Sequence, residues 1–593
     1  MVFLLNVQRI FGFTNKFFMK KKALYFSLPT LKLNPNIWDV IMLLVFLALI
    51  VIIASATKQF NLPFHLNHPL TISLSPKCLP GYALQTVLRL FLGLIFSLLF
   101  TFIFATWAAH NPVAEKIIIP FIDVLQSVPV LSFLSLTIVS FIKLFPNSLL
   151  GPECASIFLV FTAQAWNMTL SFYQSLKTVP RDYMEAAEMF GLSSWQRFWR
   201  VEVPFAIPAL LWNMMMSMSA SWFSLVAAEA FSVSGYTILL PGIGSYIALA
   251  IKTANSIAIL YAIVAMCLTI LIYDQLTFRP LMKWAEKFKI EQENSEKMSH
   301  AWLIHFWLRT RLLQAVGHLI NKQLDKILNA RIFRRRKYSP NANNKNYETQ
   351  IMFIASIFFI IAFIVAAYTL VDFIAHQLQL SEVLFVLKLA SYTGLRVLAT
   401  FIISSIIWVP IGVWIGLRPK MAVIVQPLAQ FLAAFPANLL FPIFIVLIVR
   451  WQLDVNIWTT PLMILGTQWY VLLNVIAGAA AIPKDLMQVA QNFGVKKWLW
   501  WRRLILPAIF PYYITGAITA VGGAWNASIV AEVVVWGKTT LSAKGLGAYI
   551  TQNVGDFSHT VLGVSMMCFL VFMLNNILWR PLYQLAIRRF QIS

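Results

Sequence analysis

Four charged residues recur at matched positions in apolar stretches of the sequence. Arg89 and Arg396 each follow a threonine by three residues. Glu229 and Glu532 each close an apolar run with a tryptophan seven residues earlier. Charged side chains are costly in apolar surroundings. They therefore usually line a path for an ion or a solute, or pair with an opposite charge. The arginines could attract an anion, whereas two acids suit an anion path poorly. Two interpretations stay open, a path that uses all four residues and structural ion pairs between helices.

Those tryptophans, Trp222 and Trp525, precede a second repeated pattern. Gly-x-Gly-x-Tyr-Ile occurs at 242–247 and again at 545–550. Tryptophan in such a place packs more often than it binds a ligand, and we include both as candidate path residues. Neither glycine pair is followed by the lysine of a phosphate-binding loop. We therefore interpret the glycine pairs as re-entrant turns or helix breaks.

Composition indicates that these residues lie in a membrane. Of the 593 residues, 60% are hydrophobic and 11% are charged, whereas soluble domains carry about 25% charged residues. The net charge of +24 is concentrated in short segments between apolar runs. That distribution is typical of basic cytoplasmic loops and argues against nucleic acid as a partner.

Twelve apolar segments are long enough to cross a bilayer, which requires about 20 residues. The first six are 37–56, 83–108, 117–142, 152–174, 206–231 and 256–277. The second six are 351–370, 386–416, 422–449, 458–480, 508–533 and 558–579. We predict an all-α polytopic membrane protein with about 12 transmembrane helices.

The charges of the connecting loops predict the orientation. If the N-terminus is cytoplasmic, the even-numbered connections and the tail are cytoplasmic too. Most loop cations fall there, as the positive-inside rule requires. They include Lys177, Arg181, Arg197, Arg200, Arg418, Lys420, Lys484, Lys496, Lys497, Arg502, Arg503, Arg588 and Arg589. We expect both termini in the cytosol.

The twelve segments form two parallel repeats, because six crossings return the chain to its starting side. We predict an N-terminal cytoplasmic or interfacial segment at 1–36, transmembrane domains at 37–282 and 350–593, and a basic linker at 283–349. An amphipathic helix in the linker could lie in the inner membrane interface or pack on the helix bundle.

The four cysteines show no metal-ligand spacing. Cys78 and Cys154 fall on the same predicted outer side, so a disulfide between them stays open. Cys267 and Cys568 lie in apolar runs and are expected to pack there.

One polar cytoplasmic loop occurs twice in the sequence, at 175–205 and at 481–507. The copies share a glycine, a basic stretch and a proline at an offset of 303 residues. The matched residues are Glu185, Ala186, Ala187 and Gly191 in the first copy and Gln488, Ala490 and Gly494 in the second. We predict a short helix that the glycine ends in a left-handed conformation, followed by a second helix. Such a rigid helix-turn-helix has no catalytic group and suits docking of a cytosolic partner.

This ordered series resembles the permeases of ATP-binding-cassette importers, specifically the nitrate/sulfonate/taurine/bicarbonate type. The resemblance rests on Thr-x-x-Arg, the proline-centred third helix, the duplicated loop, the Trp…Ala-Glu segment and Gly-x-Gly-x-Tyr-Ile, each present twice. It covers most of both halves, so the chain resembles two such binding-protein-dependent permeases of MetI-like fold fused in one polypeptide.

The resemblance implies a transporter subunit of the cell inner membrane that is not itself an enzyme. Its coupling residues would be those of the duplicated loop, and they would dock an ATPase dimer. ATP and Mg²⁺ would bind to those separate chains, leaving no cofactor and no metal on this one. A periplasmic or surface solute-binding protein would deliver a small anion or organic sulfonate. Because Gln488 replaces Glu185, the two docking sites are expected to be unequal.

A twelve-helix secondary transporter driven by an ion gradient is the alternative. Helix number and parallel repeat fit both classes equally well. The duplicated loop favours the importer, since a secondary transporter does not require it. A structural scaffold or channel leaves the same loop unexplained.

Overall fold

The computed structural model describes residues 72–285 apart from 234–235, residues 323 and 361, and residues 364–590 apart from 538. The expected span at 37–56, most of that at 351–370, the segment 1–36 and most of the linker lie outside the described residues.

The first half is helical, with one short hairpin. Its elements are α1 (Leu79–His110), α2 (Pro112–Ser127), α3 (Val130–Leu144), α4 (Leu150–Lys177), α5 (Arg181–Met189), α6 (Ser194–Arg197), α7 (Val203–Ala228), β1 (Ala230–Val233), β2 (Tyr236–Leu239), α8 (Ile243–Lys252), α9 (Ser256–Tyr273) and α10 (Arg279–Ala285). A π-helical turn, Phe198–Glu202, joins α6 to α7, and a second, Asp274–Phe278, joins α9 to α10.

From α12 onward the second half repeats this order. Its elements are α11 (Ile364–Gln377), α12 (Leu380–Gly416), α13 (Pro419–Ala434), α14 (Phe441–Arg450), α15 (Val455–Ala480), α16 (Lys484–Asn492), α17 (Lys497–Trp500), α18 (Leu506–Ala531), β3 (Val533–Trp536), β4 (Thr539–Ser542), α19 (Leu546–Gln552), α20 (Phe557–Leu574) and α21 (Arg580–Phe590). The π-helical turns Trp501–Ile505 and Asn575–Trp579 recur at the matching places.

Among the described residues, seven helical segments are long and apolar enough to span a membrane, or nine if each of two bent pairs is one span. A polytopic helical membrane protein is therefore confirmed, and twelve spans stay a prediction. The expected continuous spans 117–142 and 422–449 are wrong in one respect. Each is broken by a bend, of 95° between α2 and α3 and of 73° after α13.

Both bends have the same physical cause. Val128 precedes Pro129 and Phe435 precedes Pro436, and both preceding residues have an extended backbone with ψ of 127°. The residue before a proline is disfavoured in the α-helical region, and proline itself supplies no N–H to continue the helix. The helix therefore stops at each proline and restarts in a new direction.

The two hairpins were not expected from the sequence. Antiparallel β1–β2 pairs Ala230 with Leu239, and antiparallel β3–β4 pairs Val533 with Ser542. Each follows a glutamate that ends a long helix. The hairpins thus turn the chain back at the end of α7 and of α18.

Each half is built around one central helix. In the first half α4 packs between α1 and α7, and in the second half α15 packs between α12 and α18. The halves also hydrogen bond to each other. Asn438 Nδ2 lies 3.4 Å from the carbonyl oxygen of Phe223, and the N–H of Leu131 donates to Asn526 Oδ1 at 3.4 Å. These contacts lie just after the two helix breaks.

Candidate functional site

The duplicated loop has the same backbone in both halves. Gly191 and Gly494 each have a φ of 65°, a left-handed conformation that glycine adopts without a steric penalty. They follow α5 and α16, which are both nine residues long. The predicted end of the helix at this glycine is confirmed in both copies.

The hydrogen bonds at the two helix ends also match. In the first copy Leu192 N–H donates to Ala187 O at 3.1 Å, and Gly191 N–H donates to Glu188 O at 2.9 Å. In the second copy Val495 N–H donates to Ala490 O at 2.9 Å. Gly494 N–H likewise donates to the carbonyl of the residue three positions earlier, at 3.0 Å. This pair of bonds is a Schellman motif, which closes a helix and fixes the direction of the chain that follows.

The structure divides the predicted coupling residues into two groups. Glu185, Gly191, Gln488 and Gly494 are exposed, and Ala186 is partly exposed. By contrast, Ala187 is 0% exposed and Ala490 is 8% exposed. The buried alanines lie on the covered side of the short helices α5 and α16. The surface that a partner can contact therefore includes Glu185 and Gly191 in the first loop, and Gln488 and Gly494 in the second.

Large apolar side chains project from both loops. Met189 is 88% exposed and Phe190 is 55% exposed in the first loop. Phe493 is 82% exposed and Trp498 is 71% exposed in the second. Exposed apolar groups clustered on a polar loop are typical of interaction sites. Both loops therefore have the character of docking surfaces.

The base of the first loop is held by charges. Glu202, in the π-helical turn before α7, is 2% exposed. It accepts from Arg197 Nε at 3.1 Å and lies 2.8 Å from Nε2 of His110, the last residue of α1. The second half has Trp500 and Ile505 at the positions of Arg197 and Glu202. The same joint is therefore ionic in one half and apolar in the other.

Arg89 lies in a buried cluster with two carboxylates. Its Nε and Nη2 donate to Glu153 at 2.5 and 2.6 Å, and its Nη1 donates to Glu229 at 2.7 Å. Glu229 also lies 2.7 Å from the hydroxyl of Thr86 and accepts from the N–H of Gly244 at 2.7 Å. This cluster joins α1, α4, the end of α7 and the start of α8.

Arg396 forms the corresponding cluster with one carboxylate. Its Nη1 donates to Glu532 at 2.8 Å, and its Nε donates to the carbonyl of Asn456 at 2.9 Å. Glu532 lies 2.8 Å from the hydroxyl of Thr393 and accepts from the N–H of Ala548 at 3.1 Å. The cluster therefore joins α12, α15, the end of α18 and α19.

The glycine pairs allow these clusters to form. Gly242 and Gly545 are the N-caps of α8 and α19, so the helix-break interpretation is confirmed. A Cβ atom on Gly242 would collide with the carboxylate of Glu229, and one on Gly545 would collide with that of Glu532. Glycine is required because the backbone runs directly against a buried carboxylate.

Trp222 and Trp525 are each 1% exposed. The ring of Trp222 meets that of Tyr273 edge-on at 5.8 Å. The end of the Trp525 ring approaches Gly394 of α12. Both tryptophans are thus buried in the core, each beside a residue of its own half. This arrangement favours the ion-pair interpretation, and a role of all six residues in a path stays a prediction.

Two members of the clusters were missed in the sequence. Glu153 is 1% exposed, and in the sequence it has the pattern of an ordinary acid near the start of a helix. Asn456 lies 303 residues after it, the same offset as between the duplicated loops. Aligning α4 with α15 at that offset is the signal that could have identified both.

All four cysteines lie among the described residues, and the structure forms no disulfide between any of them. Cys78 and Cys154 are therefore separate thiols.

The family described as "Binding-protein-dependent transport system inner membrane component" matches residues 93–279 and 408–591. These two matches cover more than half of the chain, once in each half. The chain belongs to this family and carries its domain twice. It is accordingly a multi-pass membrane protein of the permease class.

Individual relatives are named as permease proteins for bicarbonate, nitrate and taurine. The chain is 30% identical over 183 residues to the bicarbonate transport system permease protein CmpB of Synechococcus elongatus, which is 31% of this chain and 64% of that protein. It is 26% identical over 171 residues to the nitrate import permease protein NrtB of Leptolyngbya laminosa, which is 28% of this chain and 58% of that protein. It is 27% identical over 161 residues to the taurine transport system permease protein TauC of Escherichia coli, which is 27% of this chain and 56% of that protein. Each match thus spans less than two thirds of the relative's length.

Proposed function

We propose that this chain is the transmembrane permease subunit of an ATP-binding-cassette importer, with both transmembrane domains in one polypeptide. One observation carries the proposal: two loops 303 residues apart share the same left-handed glycine, the same Schellman bonds and exposed apolar side chains. Each lies within one of the two family matches. A rigid element repeated in this way suits a partner that also comes in two copies.

That partner is a pair of ATPase subunits. ATP and Mg²⁺ bind on those subunits, whose closure brings the two loops together. Glu185, Ala186 and Gly191 would contact one subunit, and Gln488 and Gly494 the other. Ala187 and Ala490 are buried and would support the short helices from their covered side. The two halves then rock between outward-facing and inward-facing states.

The substrate is a small anion or an organic sulfonate. Support comes from the relatives, whose names give bicarbonate, nitrate and taurine as their solutes. A solute-binding protein would deliver the substrate at the outer face, where α8 and α19 begin. In this orientation both termini and the linker lie in the cytosol. The membrane is the inner membrane of the cell.

The buried clusters of Arg89 and Arg396 brace each half during this motion. Each joins four elements through one guanidinium. Because those groups are already paired, the anion path is expected to pass between the halves instead. The family match and the duplicated loop disfavour the alternative of an ion-gradient transporter.

Reconstitution tests the proposal. The intact complex should contain ATPase subunits in a ratio of two per chain, and its ATP hydrolysis should rise when the binding protein and its solute are added. Bicarbonate, nitrate and sulfonates are the solutes to screen. Solute transport by the purified chain alone, driven by an ion gradient, would overturn the importer and establish the alternative.

A further inference from the structure

The exposed charges of the two loops have opposite sign. The first docking surface, the loop 175–205, carries two cations and three anions at exposed positions, which are Lys177, Arg181, Asp182, Glu185 and Glu188, and Lys177 is paired with Glu115 at 2.7 Å. Among the side chains that the structure describes, the second docking surface, the loop 481–507, carries four cations and one anion at exposed positions, which are Asp485, Lys496, Lys497, Arg502 and Arg503. The two surfaces share a backbone and differ in electrostatic potential.

The carboxylates are lost without a change of shape. Glu185 is matched by Gln488, and Glu188 is matched by Gln491, both at the offset of 303. All four side chains are exposed on the short helices α5 and α16. Glutamine has nearly the shape of glutamate but no charge. The difference at these positions therefore concerns charge alone.

The additional cations of the second loop lie in its second arm, the segment that follows Gly494. Lys496 and Lys497 stand where the first half has Ser193 and Ser194. The two cations of that arm in the first half, Arg197 and Arg200, are only partly exposed. The Arg197 side chain is 16% exposed and lies 3.1 Å from Glu202 and 3.9 Å from Glu188. The cations of this second arm are thus partly covered in the first loop and exposed in the second.

Charge complementarity decides which partner fits which loop. Like charges placed opposite each other across an interface cost several kcal/mol, and complementary rims steer the correct subunit into place. One partner surface cannot complement both an acidic rim and a basic rim of the same shape.

From this contrast we propose that the chain docks two chemically different ATPase subunits in a fixed arrangement. The first docking surface takes a subunit whose groove has a basic rim, and the second takes a subunit whose groove has an acidic rim. This inference rests on the proposed function, because it specifies the partners of the same two loops.

Photo-crosslinking in the intact complex tests the arrangement. Met189 is 88% exposed, and its match Asn492 is also exposed, so a photoreactive residue at either position faces the partner. We expect two different ATPase polypeptides, one crosslinked from position 189 and the other from 492. The same polypeptide at both positions would overturn the inference and leave the importer intact. A complex with no ATPase at all would instead overturn the proposed function.

Charge substitutions test whether charge complementarity determines which ATPase subunit binds each loop. Glu185→Gln with Glu188→Gln should weaken binding of the first subunit about three- to tenfold at low salt and leave the second unchanged. Lys496→Glu with Lys497→Glu should weaken only the second. Lys252→Glu, at the far end of α8, is the matched control and should change neither. If the lysine variant retains its subunit but loses binding to vesicles that contain phosphatidylglycerol, those cations serve lipid head groups and the acidic-rim assignment is wrong.

Discussion

The first half buries two carboxylates beside Arg89, whereas the second buries one carboxylate beside Arg396 and places a half-buried asparagine, Asn456, where the first half has Glu153. The joint below each loop differs in the same sense, with Glu202 and Arg197 in the first half against Ile505 and Trp500 in the second. In both places the backbone is nearly identical and the charges are not. The first half is therefore held together by ion pairs at positions where the second relies on amide and apolar contacts.

This difference separates the features that both halves keep from those that have diverged. Left-handed glycines, helix breaks at prolines and glycines against a carboxylate are kept in both halves, because each is required by backbone geometry. Charged partners that only strengthen a contact have diverged. Substitutions that make one half imitate the other should separate these two kinds of feature.

The largest effect is expected from removing the arginines. Arg89→Ala leaves two carboxylates buried beside each other, and breaking a buried ion pair typically destabilises a protein by about 3–5 kcal/mol. Arg396→Ala leaves one buried carboxylate with two other donors and should destabilise less. Thermal unfolding of the purified chain in detergent measures the order. Equal losses in the two variants would mean that Glu153 contributes little to the first cluster.

The same clusters show how far the sequence could be read. Thr86 and Arg89, with their matches in the second half, form a repeated pattern in the sequence, and that pattern fits both a translocation path and an ion pair with Glu229. Nothing local in the sequence places Glu153 beside them, since 64 residues separate it from Arg89. Its match in the second half is an amide, so a search for repeated charges passes over both.

Local features were read more accurately than distant ones. The helix that ends at Gly191 follows from the conformational freedom of that residue and from its neighbours in the chain. The bend at Pro129 has an equally local cause, but a long apolar run around it suggests one continuous span. The hairpins β1–β2 and β3–β4 have four-residue strands inside apolar sequence, where neither alternation nor length distinguishes them from the end of a helix.

A second group of substitutions addresses coupling. Gly191→Ala and Gly494→Ala each place a Cβ in a left-handed conformation, which costs about 1–2 kcal/mol per residue. Gly191→Pro and Gly494→Pro add the loss of the N–H bond that closes the helix. We expect the proline variants to keep basal ATP hydrolysis in the complex but to lose solute uptake by tenfold or more. The alanine variants should show a smaller loss of the same kind.

Gly81 offers a control for these variants, because a Cβ there meets nothing within 4 Å. Gly81→Ala should leave both hydrolysis and uptake unchanged. If either loop glycine could be replaced by proline with full uptake, the fixed direction of the chain after the short helix would be irrelevant to coupling.

Converting the ionic joint should have an intermediate effect. His110→Leu removes one of the two partners of Glu202, which is buried, and an unsatisfied buried group costs about 1–3 kcal/mol. The double variant His110→Leu with Glu202→Ile copies the apolar character of the second half and should recover part of that loss. Differential scanning fluorimetry of the single and double variants gives the comparison. A double variant less stable than His110→Leu would show that the ionic joint cannot be replaced by packing.

The smallest effect is expected at the contact between the halves. Asn438 donates to a backbone carbonyl across it, whereas Asn526 accepts from a backbone N–H, so the two asparagines use opposite ends of the same amide. Each bond is 3.4 Å long, and a hydrogen bond contributes about 0.5–1.5 kcal/mol. Asn438→Ala and Asn526→Ala should therefore shift the balance of inward and outward states by up to about tenfold without unfolding the chain. Pulsed spin-label distances between the halves measure that balance.

Asn→Asp at the same positions separates the two bonds, since a carboxylate can still accept from Leu131 but cannot donate to Phe223. If the aspartate at 526 keeps the balance and the one at 438 shifts it, the halves are held by these bonds. If both behave alike, packing around the two helix breaks sets the balance instead.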